Sequence, residues 1–237
     1  MKNIHILWLY DDLLDLYGDH GNITTLTYHL QAMQIPYEIH RASIFDTPDW
    51  DNCDMVYVGP GKDKNVIRAA QHLAQYSEEI RRCVERGVVF LVTGNAQMLF
   101  GKEIADEDGS VTPAAGLFDY SGRVTGKVFI NDLVVEPVFS PETALYAFVN
   151  RTSELCGQED SPLGRVRYAK HSAGETEGVL RGNYFGTWAL GPVLAKNPPL
   201  LREILHRVTG EDGGKCDMAL MEKALALTLQ EFPAANG

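Results

Sequence analysis

Apolar and polar positions along this chain follow two periods. Ile4 to Tyr10 is apolar apart from His5, which predicts a buried first strand. Ile23, Leu26, Leu30 and Met33 then recur at helical spacing, with Asn22 placed to cap that helix and Ile35-Pro36 to end it. Tyr37 to Arg41 predicts a second strand, Ser43 to Asn52 a polar loop, and Asp54 to Val58 a third strand. Asn65 to Arg86 is amphipathic along its length and predicts one long helix closed by Gly87. The apolar run that starts at Val88 predicts a buried strand of a parallel sheet. Ala96 to Phe100 reads as the first turns of a further helix.

The second half is patterned less regularly. Lys102 to Ser110 is a charged loop. Arg123 to Ile130 predicts a strand, with Val134 to Phe139 as its neighbour, and Leu145 to Arg151 predicts another. Gly157 to Gly164 is a polar loop, and Gly178 to Leu190 a strand or hairpin. Asn197-Pro198-Pro199 starts a helix, proline being favoured at its first position. No boundary is strong enough to split the chain. Residues 1–210 are expected to form one unit, with 211–237 a linker (Gly210 to Lys215) and an amphipathic helix from Cys216 to Phe232.

The alternation of strand and helix up to Gly101 predicts an α/β fold, a doubly wound, mostly parallel central sheet with helices on both faces. Ligands of such sheets sit beyond the carboxyl ends of the strands. Three loops fall there: Tyr17 to Asn22, Gly59 to Asp63, and Thr93 to Gln97. Gly59-Pro60-Gly61-Lys62-Asp63 is either a plain connection or a substrate-contacting turn. The strand, small-residue turn and helix around Thr93-Gly94-Asn95 have the layout of a nucleophile elbow. A thiol or an activated hydroxyl is expected at its bend, and Thr93 has no visible base.

Composition narrows the partners. The 237 residues carry a formal charge of −11, which argues against a nucleic-acid surface or an anionic membrane. No apolar run reaches the roughly 18 residues of a membrane span. Met1 to Tyr10 enters a strand directly and has no small-residue cleavage site, so no signal peptide is expected. Four cysteines, Cys53, Cys83, Cys156 and Cys216, have no close pair in sequence, which fits a reducing cytoplasm and neither a disulfide framework nor a zinc site. No metal and no cofactor are expected.

Several blocks together resemble a known family. Tyr17-Gly18-Asp19-His20-Gly21-Asn22 matches its YGDRGN loop, and Gly59-Pro60-Gly61-Lys62-Asp63 its GGGQD turn. The stretch from Thr93 to Gly101 matches its CGGYQLLG elbow, with one residue more. Arg123-Val124-Thr125-Gly126-Lys127-Val128 matches R-x-x-G-x-V, and Tyr146 to Ser153 matches YGFENHGG. Glu177-Gly178-Val179 and Gly186 to Pro198 match EGV…GTYLHGPLLPKNP. In order and spacing the chain resembles class I glutamine amidotransferase domains of the cobyric acid synthase-like branch. Within it, the chain looks most like the glutaminase subunits of lipid II isoglutaminyl synthase.

The resemblance implies a three-layer, flavodoxin-like fold and a partner, a Mur-ligase-like or synthetase protein that such domains feed with ammonia. It also places the family's catalytic cysteine at Thr93 and its catalytic histidine at Leu190. A leucine moves no proton, so the pair that would attack a glutamine amide is missing. The implied reading is a degenerate subunit that docks on its partner and holds a small amino-acid-like ligand. Two alternatives stay open: an active enzyme on an amide substrate with a changed catalytic constellation, and a free-standing regulatory protein. Candidate ligand-binding residues are Tyr17, Asp19, Gly59, Gly61, Gly94, Gln97 and Arg123. Each also has a purely structural reading, Asp19 turning its loop and Arg123 pairing with a surface carboxylate. His20 is the one histidine in a loop expected near the cleft.

Overall fold

The computed structural model describes residues 2–157, 161–211 and 216–232. In chain order the first half gives β1 (Ile4–Leu9), α1 (Gly21–Ala32), β2 (Tyr37–Ala42), β3 (Met55–Val58), α2 (Asp63–Leu73), α3 (Ser77–Glu85) and β4 (Val89–Thr93). Then come β5 (Glu103–Ala105), β6 (Val111–Pro113), β7 (Ser121–Pro137), β8 (Leu145–Cys156), β9 (Gly164–Ala169) and β10 (Thr176–Glu177). The chain continues through β11 (Val179–Arg181), β12 (Tyr184–Thr187), α4 (Val193–Lys196), α5 (Pro198–Thr209) and α6 (Ala219–Gln230).

The predicted parallel sheet is present, in the order β11-β12-β4-β3-β1-β2. All its pairs are parallel except the β11–β12 hairpin. Side-chain alternation divides two cores between its faces. Leu7, Leu9, Val56, Val58, Phe90 and Val92 pack with α2 and α3 on one face. Ile4, Ile6, Trp8, Tyr57, Val89 and Leu91 pack with α1 and α5 on the other. Strands this apolar on both faces are what a helix-covered parallel sheet requires. Cys216 and Met218, just before α6, are buried in the second core. Among the described residues no helix is long and apolar enough to cross a membrane.

Several elements differ from expectation. The single helix from Asn65 to Arg86 is broken by a 3-10 turn at Ala74–Tyr76. Tyr76 leaves the helical region (φ −110, ψ 22), and Ser77 Oγ donates back to the Ala74 carbonyl at 3.1 Å. That tighter turn re-aims the chain so that Ile80 and Cys83 reach the same core as Val66 and Leu73. Asn22 does not cap α1. It lies inside the first turn, and its side chain accepts from Leu194 N–H at 2.9 Å.

A second six-stranded sheet, mostly antiparallel, was not foreseen. Arg123 to Ile130 and Val134 to Phe139 are not neighbours but stretches of one strand, β7, which pairs with β8 and β9. The polar Asn131 does not break it, because its side chain is satisfied by the His171 backbone on both sides. β5 lies within the stretch read as a charged loop, and Cys156 ends β8 and is not in a loop. Residues 158–160 of the loop expected from Gly157, and 212–215 of the linker expected from Gly210, lie outside the described residues.

Candidate functional site

β4 ends at Thr93 and runs into a 3-10 helix, Gly94–Phe100, at the carboxyl edge of the parallel sheet. The elbow is therefore real, though its helix is the tighter kind. Gly94 adopts φ +59, and a Cβ there would lie 2.7 Å from Pro60 Cβ and 2.8 Å from Leu190 Cδ2. Only glycine meets both demands. Pro60 and Leu190 thus close over the bend from two sides.

Thr93 itself is fully buried. Its hydroxyl donates to Asp19 Oδ2, so the expectation that no base lies within its reach is overturned. The missed partner is 74 residues away in sequence, on the turn before α1. Tyr57 OH, at the end of β3, lies 2.5 Å from the same oxygen. Asp19 Oδ1 accepts the Gly191 N–H at 3.2 Å, from the residue after Leu190. One carboxylate therefore ties together β3, β4, the α1 turn and the segment after β12. Burial raises the Asp19 pKa above the ordinary carboxylate value, against the lowering effect of the Thr93, Tyr57 and Gly191 donors.

Next to the bend, Asn95 bridges to the Gly59–Asp63 turn. Its Oδ1 accepts the Gly61 N–H at 3.1 Å, while Nδ2 donates to Gly61 O and Asp63 Oδ1, both at 2.8 Å. Thr152 Oγ1 donates to Asp63 Oδ2 at 2.6 Å. Gly61 is required there, since a Cβ would meet Leu14 Cδ2 at 2.2 Å. Above these groups lies a cleft of about 260 Å³ lined by Tyr17, Pro60, Lys62, Asn150, Arg151 and Leu190.

The sequence candidates scatter about this cleft. Tyr17 (φ +62) lines it, as do Gly61 and Leu190. Asp19 and Gly94 lie beneath it, and Gly59 abuts Leu14 O. Gln97 is buried and donates to Gly94 O at 3.2 Å. Arg123 pairs with Glu154 on an exposed strand face, with Nε to Oε1 at 2.8 Å. His20 turns outward to Asp15, Nδ1 to Oδ2 at 2.9 Å. Cys53 and Cys83 converge beneath Trp50 O in the core of the other face. Tyr57, Asn95 and Arg151 were missed. A tyrosine at a strand end was the only local signal for the first, and an asparagine in place of an elbow glycine for the second. On one face of the paired strands β1 and β2, His5 Nδ1 and His40 Nε2 lie 3.1 Å apart beside Glu38, an imidazole–imidazole hydrogen bond on the surface.

The family profile described as CobB/CobQ-like glutamine amidotransferase domain matches residues 5–198. The chain is 30% identical over 202 residues to the Streptococcus pneumoniae lipid II isoglutaminyl synthase (glutamine-hydrolyzing) subunit GatD, covering 83% of this chain and 77% of that protein. It is 24% identical over 216 residues to the Staphylococcus aureus subunit of the same name, covering 90% of this chain and 87% of that one. Among solved structures, the glutaminase domain of Trypanosoma brucei CTPS with bound acivicin superposes with a TM-score of 0.53 at 12% identity. That match covers 88% of this chain and 95% of the other, and it supports the fold alone. With the elbow, the parallel sheet and the profile in agreement, this chain belongs to the CobB/CobQ-like glutamine amidotransferase family.

Proposed function

We propose that this chain is a degenerate amidotransferase-like subunit without glutaminase activity, acting beside a Mur-ligase-like or synthetase partner. The observation that carries the reading is that the nucleophile, the base and the Gly61 N–H at the elbow are each absent or already committed. Acyl transfer from glutamine needs a nucleophile, a base that returns its proton to departing ammonia, and N–H donors for the oxyanion. Thr93 is fully buried and bound to Asp19. By the resemblance of the Gly186 to Pro198 block, Leu190 takes the position of the family's imidazole. The Gly61 N–H, on the turn that faces the elbow, is taken by Asn95 Oδ1. The partner half of the reading rests on the relatives, whose names describe subunits of lipid II isoglutaminyl synthase.

One observation favours the second reading, an active enzyme with a changed constellation: the Asp19 carboxylate accepts the Thr93 hydroxyl. Against it, Asp19 already serves Tyr57 and Gly191, and Thr93, Asp19 and Tyr57 are all buried from solvent. Ammonia release from glutamine, measured with and without a Mur-ligase-like partner, separates the two. No release above background, with measurable binding to the partner, is expected. Robust release that disappears in Thr93→Ala would establish Thr93 as a nucleophile and overturn the proposal.

A further inference from the structure

A second cavity, of about 290 Å³, lies between the two sheets behind the elbow. Its walls mix polar groups with apolar side chains, Phe129, Leu133, Val149, Val166 and Val179 among them, and it holds two charges, Glu177 and Arg151. Glu177 is only 5% exposed. Its Oε1 accepts both of its hydrogen bonds, from Trp188 N–H at 2.6 Å and Thr187 Oγ1 at 3.0 Å. The backbone enforces this placement: Gly178, the next residue, holds φ +66, and a Cβ there would lie 2.3 Å from Gly186 O. Arg151 is held equally firmly. Its guanidinium carbon lies 4.8 Å from the Phe129 ring and 4.6 Å from the Trp188 ring. One guanidinium nitrogen donates to Ser153 O, and Nε has no hydrogen-bond partner. Among the described residues, Arg151 and Glu177 form no direct ion pair, though each feels the other's charge, and Arg151 also that of Glu154. A buried charge without its counter-ion is costly, by several kcal/mol per ion after relaxation. Here two opposite charges are fixed on one cavity with no direct bond between them.

We propose that this cavity binds a small α-amino acid with an apolar side chain, its ammonium on Glu177, its carboxylate on Arg151 and its side chain against the Phe129, Val149 and Val166 wall. The zwitterion gives each group a directly bonded counter-ion where Arg151 and Glu177 otherwise act on each other only at longer range, which neither a simple amine nor a simple acid does. The volume, at the small end of ligand pockets, fits a molecule of that size. Burial raises the Glu177 pKa to about 7, and the Trp188 and Thr187 hydrogen bonds and the nearby charge of Arg151 only partly offset it. The site is separate from the cleft over Thr93, and only Arg151 lines both. Trp188, in the cavity wall, is two residues from Leu190, so occupancy bears on the segment that closes over the elbow.

Titration calorimetry on the full chain at pH 8 tests this, with L-leucine and L-phenylalanine as probes. Isoamylamine and 4-methylpentanoate serve as the half-ligands lacking one charge each. At least one amino acid is expected to bind, with each half-ligand at least tenfold weaker. Glu177→Gln is expected to weaken amino-acid binding at least tenfold. Val166→Phe, which fills the cavity without touching either charge, is expected to abolish it. Lys62→Ala, in the cleft over Thr93, is expected to leave it unchanged. Circular dichroism confirms that each variant is folded. No binding of either amino acid overturns the proposal, as does a half-ligand that binds as tightly as the amino acid. Loss of binding in Lys62→Ala with retention in Val166→Phe also overturns it, by placing the ligand in the other cleft. None of these readouts depends on ammonia release, so the proposal fails or stands apart from the loss of glutaminase chemistry.

Discussion

Replacing Glu177 by Gln is expected to stabilise the unliganded protein at neutral pH, although it removes a charge that lies near a cation. The folded state raises the Glu177 pKa from its ordinary 4.5 to about 7, chiefly by burial, with Trp188 N–H, Thr187 and Arg151 only partly offsetting it. The folded chain therefore holds this proton more tightly than the unfolded chain does. Below about pH 4.5 both states are protonated and the group contributes nothing to the pH dependence. As pH rises from 4.5 to about 7 the unfolded state ionises more readily, and stability falls. Above that the full penalty is present, about 3 kcal/mol at about 1.4 kcal/mol per pH unit. Glutamine is isosteric with the protonated acid, and its oxygen still accepts from Trp188 and Thr187. The gain should then be near zero at pH 4.5 and about 3 kcal/mol at pH 8, or roughly 6–12 °C in Tm for a chain of this size. Urea unfolding of both proteins at the two pH values measures the difference directly. An equal gain at both pH values, or a loss at pH 8, would refute the assignment of a buried, poorly compensated carboxylate.

Other expectations concern the elbow. Thr93→Val keeps the shape but leaves the buried Asp19 short of a donor, and should cost about 1–3 kcal/mol in urea unfolding, while Thr93→Ser should cost much less. Gly94→Ala meets Pro60 and Leu190 as well as an unfavourable φ, whereas Gly109→Ala (φ +85) meets open space. The second should cost about 1–2 kcal/mol, and the first clearly more, as read by thermal melts of the two variants. The double change Thr93→Cys with Leu190→His should give at most a trace of ammonia from glutamine. Adding Asn95→Gly should raise it, since that change frees the Gly61 N–H; no rise would show that this donor is not the obstacle.

The parallel sheet and the elbow were legible because their signals are local. The apolar run from Val88 and the Gly94 bend fall within a few residues, and glycine at φ +59 has a steric cause that a single position reveals. The partner of Thr93 was not legible. Asp19 sits in a loop rich in glycine and reads as a turn residue, and only the closing of β1 against β3 and β4 brings it under the elbow. The second sheet was half missed for a different reason. β7 mixes polar and apolar positions around Thr125-Gly126-Lys127, where its register with β8 slips, and a slipped strand does not keep a clean period. The α2–α3 break was hidden because its cause is the docking of Tyr76 against Trp50 and His72, contacts that no periodicity encodes.

On the reading proposed above, the departures from the family pattern fit one another. Leu190 leaves no imidazole, and its methyl group fills the space beside Gly94 that Pro60 bounds from the other side. With the bend covered by apolar groups, a free hydroxyl at Thr93 would be a buried donor without a partner, which costs about 1–3 kcal/mol. Asp19 removes that cost, and Tyr57 and Gly191 in turn supply donors to the carboxylate. Asn95, two residues after Thr93, acts in the same way: the Gly61 N–H is satisfied by a side chain of the protein itself. An active site keeps unmet donors and acceptors aimed at a substrate. Around Thr93 these groups bond one another, so the elbow joins four segments of the fold. Among the described residues, two opposite charges without a direct bond between them, Arg151 and Glu177, line the second cavity.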